Sequence, residues 1–382
     1  MDNNQHKNRP LNVLNVAETI KGGIATYLDT LERLSADFNC HFSYLIPAAQ
    51  ADQLNAGRKH FHAYSRAGFG TLKLALAIVH QVRLQSPDIV FAHSTFAGVA
   101  LCLARPWLGR KTKTMYCAHG WASFRDRSKL VTLLTRLVET GMSYVPDSVV
   151  EISRYEYDKN RRSGFSRNCT LIQSSVLDRK DAPRPQSRDD GHLHILFVGR
   201  LDREKGYDIL LEAIRILQKT RPEYVYHIVG APVLANLALE KLDAWNVRYY
   251  GWIDQAHIDT YYDRANVLVM PSRTEGFGLA ALEAFRSYVP VIASNRGALP
   301  DIVEHAVNGL IFNCTASDLA EKLENLNHDT LKRYALAARA AYVERFSPVQ
   351  FIAGYQKLFS HLRQLINQPT WRQHFLMQKD KR

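Results

Sequence analysis

Two glutamates stand eight positions apart in TEGFGLAALEAF, Glu275 and Glu283, separated by a Gly-Phe-Gly turn and an apolar run. Gly276 and Gly278 can take backbone angles closed to other residues, letting main-chain N–H groups approach a ligand closely. The apolar run predicts a helix opening near Gly278. Its first N–H groups and positive dipole end would favour a phosphate or a sugar oxygen. Glu275 would then lie in the loop, beside a reacting group. Glu283 would lie more than one turn into the helix, among Leu279, Ala280, Leu282 and Phe285, where a carboxylate needs a partner. A ribose diol is a suitable one, since two adjacent hydroxyls donate to two carboxylate oxygens. The plainer alternative is a capping Glu275 and a solvated Glu283, and E-x7-E alone does not decide between them.

Roughly 70 residues upstream, VGRLDREKG sets Arg200 and Lys205 just beyond an apolar strand, with Gly206 ahead of a helix. A planar guanidinium fork and a mobile ammonium suit a diphosphate. An ordinary charged loop has the same composition. Gly22-Gly23 follows the first strand, where α/β folds bind phosphates, although a tight turn would read the same way. His119 sits between a strand and Gly120; a lone histidine there is more often structural. His93, in FAHS, reads as a core or supporting histidine.

These residues need elements to hold them. Apolar strands are predicted at LNVLNVAE, SPDIVFAHS, KTMYCAHG and DSVVEIS, with a helical pattern in ATYLDTLERL. Strands separated by helices imply right-handed βαβ units and a parallel sheet covered on both faces. The stretch DRKDAPRPQSRDDGH is polar with two prolines and reads as a linker. After it the pattern restarts: HILFVGR, YHIVGA, VRYYGWI, ANVLVMPS and VPVIAS as strands, YDILLEAIRILQ and FGLAALEAF as helices. Two open parallel sheets facing one another place their strands' carboxyl ends on a common cleft. The expected divisions are an N-terminal domain over 1–180, a linker over 181–192 and a second domain over 193–349. A C-terminal helical segment, about 350–382, is expected to pack back on the first domain.

Length and composition agree. A chain of 382 residues exceeds one ordinary core. With 46% apolar and 23% charged residues it reads as globular. No apolar span is long enough for a bilayer, and MDNNQHKNRP has no hydrophobic signal core, so a cytoplasmic location is expected. Five scattered cysteines, none in C-x-x-C spacing, suit reduced thiols rather than disulfides or a zinc site. Net charge is +12, and residues 1–190 hold 26 Lys/Arg against 17 Asp/Glu. The excess favours anionic partners. Nucleic acid is not expected, because no RNP aromatics, zinc finger or clear helix-turn-helix gives the charge a reading surface.

On VAETIKGGIATYLDTL, DIVFAHSTFAG, CAHGW, VGRLDREKG, EGFGLAALE and SNRGALPDIV..HAVNGLIF, the chain resembles the retaining GT-B glycosyltransferases of family 4. The resemblance implies an α/β fold of two Rossmann-like parallel-sheet domains facing a central cleft. It implies that Gly22 and Gly23 approach the donor phosphate and the acceptor, and that His119 lies near the donor sugar. Arg200 and Lys205 match the pair that stabilises the leaving diphosphate. Glu275 and the amides of Gly276, Phe277, Gly278 and Leu279 match the group that holds donor sugar and phosphate, and Glu283 the ribose-binding carboxylate. Gly297-Ala298 departs from the two glycines of many relatives. The implied reaction moves a hexosyl group, with retention, from a UDP-, GDP- or other nucleoside-diphosphate sugar to a glycan or lipid-linked acceptor in cell-surface polysaccharide synthesis. No D-x-D pair occurs, so no metal or other cofactor is expected. The alternative is another nucleotide-sugar enzyme on the same scaffold: an epimerase, a phosphorylase or a small-molecule glycosyltransferase. Base recognition is expected from main-chain atoms around 230–233 and 251–253.

The segment RDRSKLVTLLTRLVETG has Leu130, Leu133, Leu134 and Leu137 at helical spacing among Arg125, Arg127, Lys129 and Arg136. A domain helix that buries its leucines and solvates its arginines is the simpler expectation. The other is attachment to an anionic membrane surface on the cytoplasmic leaflet.

Overall fold

A computed structural model describes residues 9–20, 22–54, 58–62, 69–125, 128–165, 168–179, 181, 191–232 and 240–368. Most of the expected linker, Arg127, Val233 and the tail from Trp371 lie outside the described residues.

The first sheet is formed by β1 (Leu11–Ala17), β2 (Cys40–Pro47), β3 (Lys59–His62), β4 (Ile89–His93), β5 (Lys113–Cys117), β6 (Ser148–Glu151) and β7 (Cys169–Leu171). Its order is β3-β2-β1-β4-β5-β6-β7. All its pairings are parallel. The second holds β8 (Leu193–Val198), β9 (Tyr224–Val229), β10 (Val247–Gly251), β11 (Val267–Met270), β12 (Val291–Ser294) and β13 (Gly309–Phe312). Its order is β10-β9-β8-β11-β12-β13, again parallel throughout. Strands buried on both faces read as near-continuous apolar runs, which is why IVFAH and VLVM were recognisable. In each sheet the strand order reverses beside the first strand, β1 in one and β8 in the other, and there the connecting loops part to leave a crevice.

The 348–367 segment is one helix, Pro348–Asn367, with Pro348 in its first turn, where a missing N–H costs nothing. It lies on the N-terminal domain. Phe351, Tyr355 and Phe359 pack against Phe38, at ring-centroid distances of 6.3, 5.5 and 5.9 Å. The hydroxyls of Tyr27 and Tyr355 hydrogen-bond to each other. The chain therefore crosses between domains twice, and the crossings run side by side. Ser175 Oγ donates to Phe346 O at 2.7 Å, Tyr342 OH to Val176 O at 2.8 Å, and Arg339 pairs with Asp178 at 2.6 Å.

One expectation fails. The helix Lys129–Ser143 does not bury its leucines: Leu130 is 67% exposed and Leu137 63%, and Leu133 and Leu134 also face solvent. Its buried residues are Glu139, Met142 and Ser143. The spacing identified an apolar stripe correctly, but periodicity does not say which stripe meets the protein. Here Glu139 turns inward because its carboxylate receives the amides of Ala122 and Ser123, at 2.8 and 3.0 Å.

Candidate active site

The carboxyl ends of β5, β8 and β11 converge on one pocket between the domains. Its N-terminal wall carries Gly120, Trp121, Phe124, Arg125, Tyr155 and Glu156. The opposite wall carries Arg200, Glu204, Lys205, Glu275 and Gly276.

Lys205 precedes Gly206, the left-handed residue that starts the helix Tyr207–Leu217. Its backbone N–H is fixed by Asp202 Oδ1 at 2.9 Å, and its Nζ reaches Glu275 Oε2 at 2.6 Å. Ser272 Oγ donates to the same oxygen at 3.2 Å. Arg200 is held by acids of its own loop: Nη2 lies 2.8 Å from Glu204 Oε2 and Nε 3.1 Å from Asp202 Oδ2. Arg125 crosses from the other domain to within 3.6 Å of Glu204. Two cations therefore stand together on one wall, each resting on carboxylates that an incoming anion would displace.

The 275–278 loop ends at Gly278, a left-handed residue at φ 110° that caps the helix Leu279–Arg286. Gly276 is needed for a different reason. A Cβ there would lie 2.9 Å from Gly120 Cα, so the two domains meet backbone to backbone at this point. Gly22, at φ 73°, caps the helix Gly23–Arg33, and a Cβ on Gly23 would lie 3.5 Å from Leu279 Cδ1. Gly23 thus meets the same loop-helix junction from across the cleft. Leu279 carries that contact, while the Phe277 ring turns away to pack on Phe346, with centroids 6.3 Å apart. Glu283 is buried, and Tyr262 OH donates to its Oε2 at 2.8 Å. Burial raises its pKa, against the opposing pull of Arg286 and the Tyr262 hydroxyl.

His119 adjoins the pocket through Gly120 and sits at φ 53°, a left-handed angle that costs a non-glycine residue about 1–2 kcal/mol. Its Nε2 lies 2.9 Å from His93 Nδ1, and His93 Nε2 lies 3.0 Å from Asn15 Oδ1. Asn15, His93 and His119 thus form one hydrogen-bonded chain that runs from β1 to the edge of the pocket. Burial holds both rings neutral, His93 well below the usual range and His119 down to about 3.

The structure brings Arg200, Lys205, Glu275 and Gly276 together in the pocket, with His119 at its edge. Gly22, Gly23, Phe277, Leu279 and Glu283 flank it without lining it. Sequence reasoning missed Asn15, Glu156, Trp121 and the Arg125–Glu204 bridge. Asn15 had a signal, as one of two amides in the apolar strand LNVLNVA, where Asn12 is exposed and Asn15 buried. Glu156 had a misleading one, since Ser153-x-x-Glu156 has the spacing of a helix capping box. Trp121 and the bridge depend on residues distant in sequence.

The chain matches the family model "Glycosyl transferases group 1" over residues 178–344. It is 30% identical over 315 residues to an uncharacterised 41.2 kDa protein in the cps region of Klebsiella pneumoniae, across 79% of this chain and 86% of that one. To the O-antigen biosynthesis glycosyltransferase WbnH of Escherichia coli it is 25% identical over 258 residues, 66% of this chain and 72% of that one. Among solved structures, sucrose-phosphate synthase from Thermosynechococcus elongatus superposes with a TM-score of 0.76 at 18% identity, over 92% of this chain and 99% of that one. HepE of Anabaena, solved with UDP-glucose, gives 0.72 at 17%, over 92% and 98%. At such identities the superpositions establish the GT-B fold alone, and the sequence matches supply the rest: the chain belongs to the group 1 glycosyl transferases and is a glycosyltransferase.

Proposed function

We propose that the protein is a retaining, metal-independent enzyme of glycosyltransferase family 4. It moves a hexosyl group from a nucleoside-diphosphate sugar to a glycan or lipid-linked acceptor in cell-surface polysaccharide synthesis. The observation that carries this reading is the Lys205–Glu275 contact at 2.6 Å, with Arg200 on the same wall of the cleft. Lys205 and Arg200 stabilise the charge that develops on the departing phosphate, so the reaction has its electrophilic help from side chains. Glu275 and the amides that open the helix Leu279–Arg286 hold the sugar and the distal phosphate, while Glu283 receives the ribose hydroxyls. His119, tied to His93 through Nε2, lies beside the donor sugar. Retention follows from attack on the face the phosphate leaves, with that phosphate accepting the acceptor's proton. The solved structure with UDP-glucose and the relatives named for a cps region and for O-antigen biosynthesis support a nucleotide sugar and a surface glycan.

The test is nucleotide release from a panel of UDP-, GDP-, ADP- and dTDP-sugars with EDTA present. Turnover of one donor that survives EDTA is the expected result. Abolition by EDTA with rescue by Mg²⁺ would remove the metal-independent part of the reading.

The exposed leucine face of the helix Lys129–Ser143 supports a peripheral contact with an anionic membrane, where a lipid-linked acceptor would reside. Among the described residues no helix is long and apolar enough to cross a membrane. Lys129 and Arg136 on this helix would each add about 1 kcal/mol near anionic headgroups. Cosedimentation with phosphatidylserine-containing vesicles at low salt is expected, and loss of it in Leu133→Asp/Leu137→Asp. Equal binding by that variant would separate the helix from any membrane contact.

A further inference from the structure

Three carboxylates are buried together beneath the N-terminal wall of the cleft, and they are not equivalent. Glu139 receives the Ala122 and Ser123 amides, one on each oxygen. Glu151 receives Trp121 Nε1 at 2.8 Å on one oxygen and Asn160 Nδ2 at 2.7 Å on the other. In each, both oxygens are met by protein donors. Glu156 is as deeply buried, yet among the described residues it receives one long hydrogen bond, from Trp121 N at 3.2 Å. No described cation forms an ion pair with any of the three. Glu156 also differs in position. Its Oε1 lies 3.3 Å from where a Cβ on Gly276 would stand, and it lines the same pocket as Glu275. It leaves the capping box open, since its carboxyl turns toward the 119–121 turn while Ser153 Oγ caps the Glu156 amide.

We propose that Glu156 is a positioning residue that works as the neutral acid: it seats the His119–Gly120–Trp121 turn against the Gly276 loop and keeps the cleft closed, and its ionisation opens the cleft. This rests on the proposed function for its bearing on catalysis, though not for the closure itself. The groups facing Glu156 explain the sign. Glu151 on β6, Glu139 on the helix Lys129–Ser143, and Glu275 on the opposing loop all disfavour its anion, and Cys117 on β5 and the neutral His119 offer no positive charge. The cations across the pocket are engaged elsewhere, Lys205 with Glu275, and Arg200 and Arg125 with Glu204. Burial, then Glu151, raise the Glu156 pKa well above 4.5. The neutral form therefore persists above the unfolded-state pKa and is lost as pH rises through the elevated folded value. Once ionised, Glu156 would face the Glu275 carboxylate across the pocket that both line.

Small-angle scattering of the full chain from about pH 6 to about pH 9.5 reads this directly. The wild type is expected to expand with rising pH, and Glu156→Gln, which keeps shape and neutrality, to stay compact throughout. Glu275→Gln, which removes the opposing charge, is expected to expand only at higher pH; it keeps the test alive should Glu156→Gln not fold. A wild type of constant dimension, or a Glu156→Gln or Glu275→Gln that expands along the wild-type curve, would overturn the proposal. On a donor that turns over, kcat/KM of the wild type is expected to fall about tenfold per pH unit above the transition, with that limb absent in Glu156→Gln. Scattering as expected with no turnover of any donor would count against the proposed function and leave the closure intact.

Discussion

Lys205→Ala is expected to lower kcat by about 10²–10³-fold, corresponding to about 2.7–4 kcal/mol, the loss seen when one preorganised charge-stabilising group is removed. Lys205 has two tasks at once. Its ammonium faces the pocket where the leaving phosphate would gather charge, and it contacts Glu275, whose side chain is only 10% exposed. Deleting it leaves that carboxylate, among the described residues, with Ser272 Oγ as its remaining side-chain donor. Nucleotide affinity should fall less than kcat, because Arg200 and the helix amides still hold the ground-state diphosphate while the charge that appears during bond cleavage is no longer met. Lys205→Arg is not expected to restore the rate, since a planar fork cannot replace a point charge seated at 2.6 Å. Steady-state kinetics beside calorimetric nucleotide binding separates the two effects. A kcat within about fivefold of wild type would remove Lys205 from the leaving-group role.

Gly297→Ala is expected to damage stability and activity together. Gly297 sits at φ 60°, and a Cβ there would lie 2.1 Å from Glu275 O and 2.8 Å from Glu275 N. The obstacle is backbone, which cannot swing away as a side-chain tip does. It is also the backbone that carries the proposed sugar-holding carboxylate, and its carbonyl accepts the Ala298 amide at 3.0 Å. Left-handed strain of about 1–2 kcal/mol and a forced shift of the 275–278 loop should together cost about 3 kcal/mol or more. For a domain of this size that lowers Tm by about 6–12 °C. Gly109→Ala is the control. It has a similar φ, 56°, with nothing within 4 Å of the new Cβ, and should cost only the strain. Equal Tm values for the two variants would show that the Glu275 contact does not constrain the loop. The presence of alanine at 298 is consistent with this division: Ala298 takes a right-handed helical conformation, so only position 297 requires glycine.

The parallel sheets were readable because strands covered on both faces are continuously apolar, and the helix opening at Gly278 because glycine and periodicity coincide there. β2 and β3 were not recognised. In CHFSYLIP, polar His41 and Ser43 interrupt the run, and KHFH at the sheet edge is too short and too polar to stand out. The orientation of the helix Lys129–Ser143 was misread because its decisive contact is polar: Glu139 anchors it through two amides while the leucines face outward. In the site, local motifs led to Arg200, Lys205 and Glu275. The His119–His93–Asn15 chain joins three separate strands' ends, and Glu156 meets Gly276 only because two domains touch. Neither meeting can be read from local spacing, although Asn15 stands out as a buried-strand amide and Glu156 carries the spacing of a capping box.

The double crossing of the chain bears on how the molecule is made. The N-terminal sheet is complete once β7 has been synthesised, yet Phe38, Phe42 and Tyr27 still await Phe351, Tyr355 and Phe359. About 190 residues separate those two events. At ribosomal rates of about 5–20 residues per second the interval is on the order of 10–40 s. Throughout it the nascent first domain carries an uncovered aromatic groove, while the second domain, contiguous in sequence, can fold as soon as it emerges. The domain that begins first therefore finishes last, and a holdase in the cell would find its binding site on that groove.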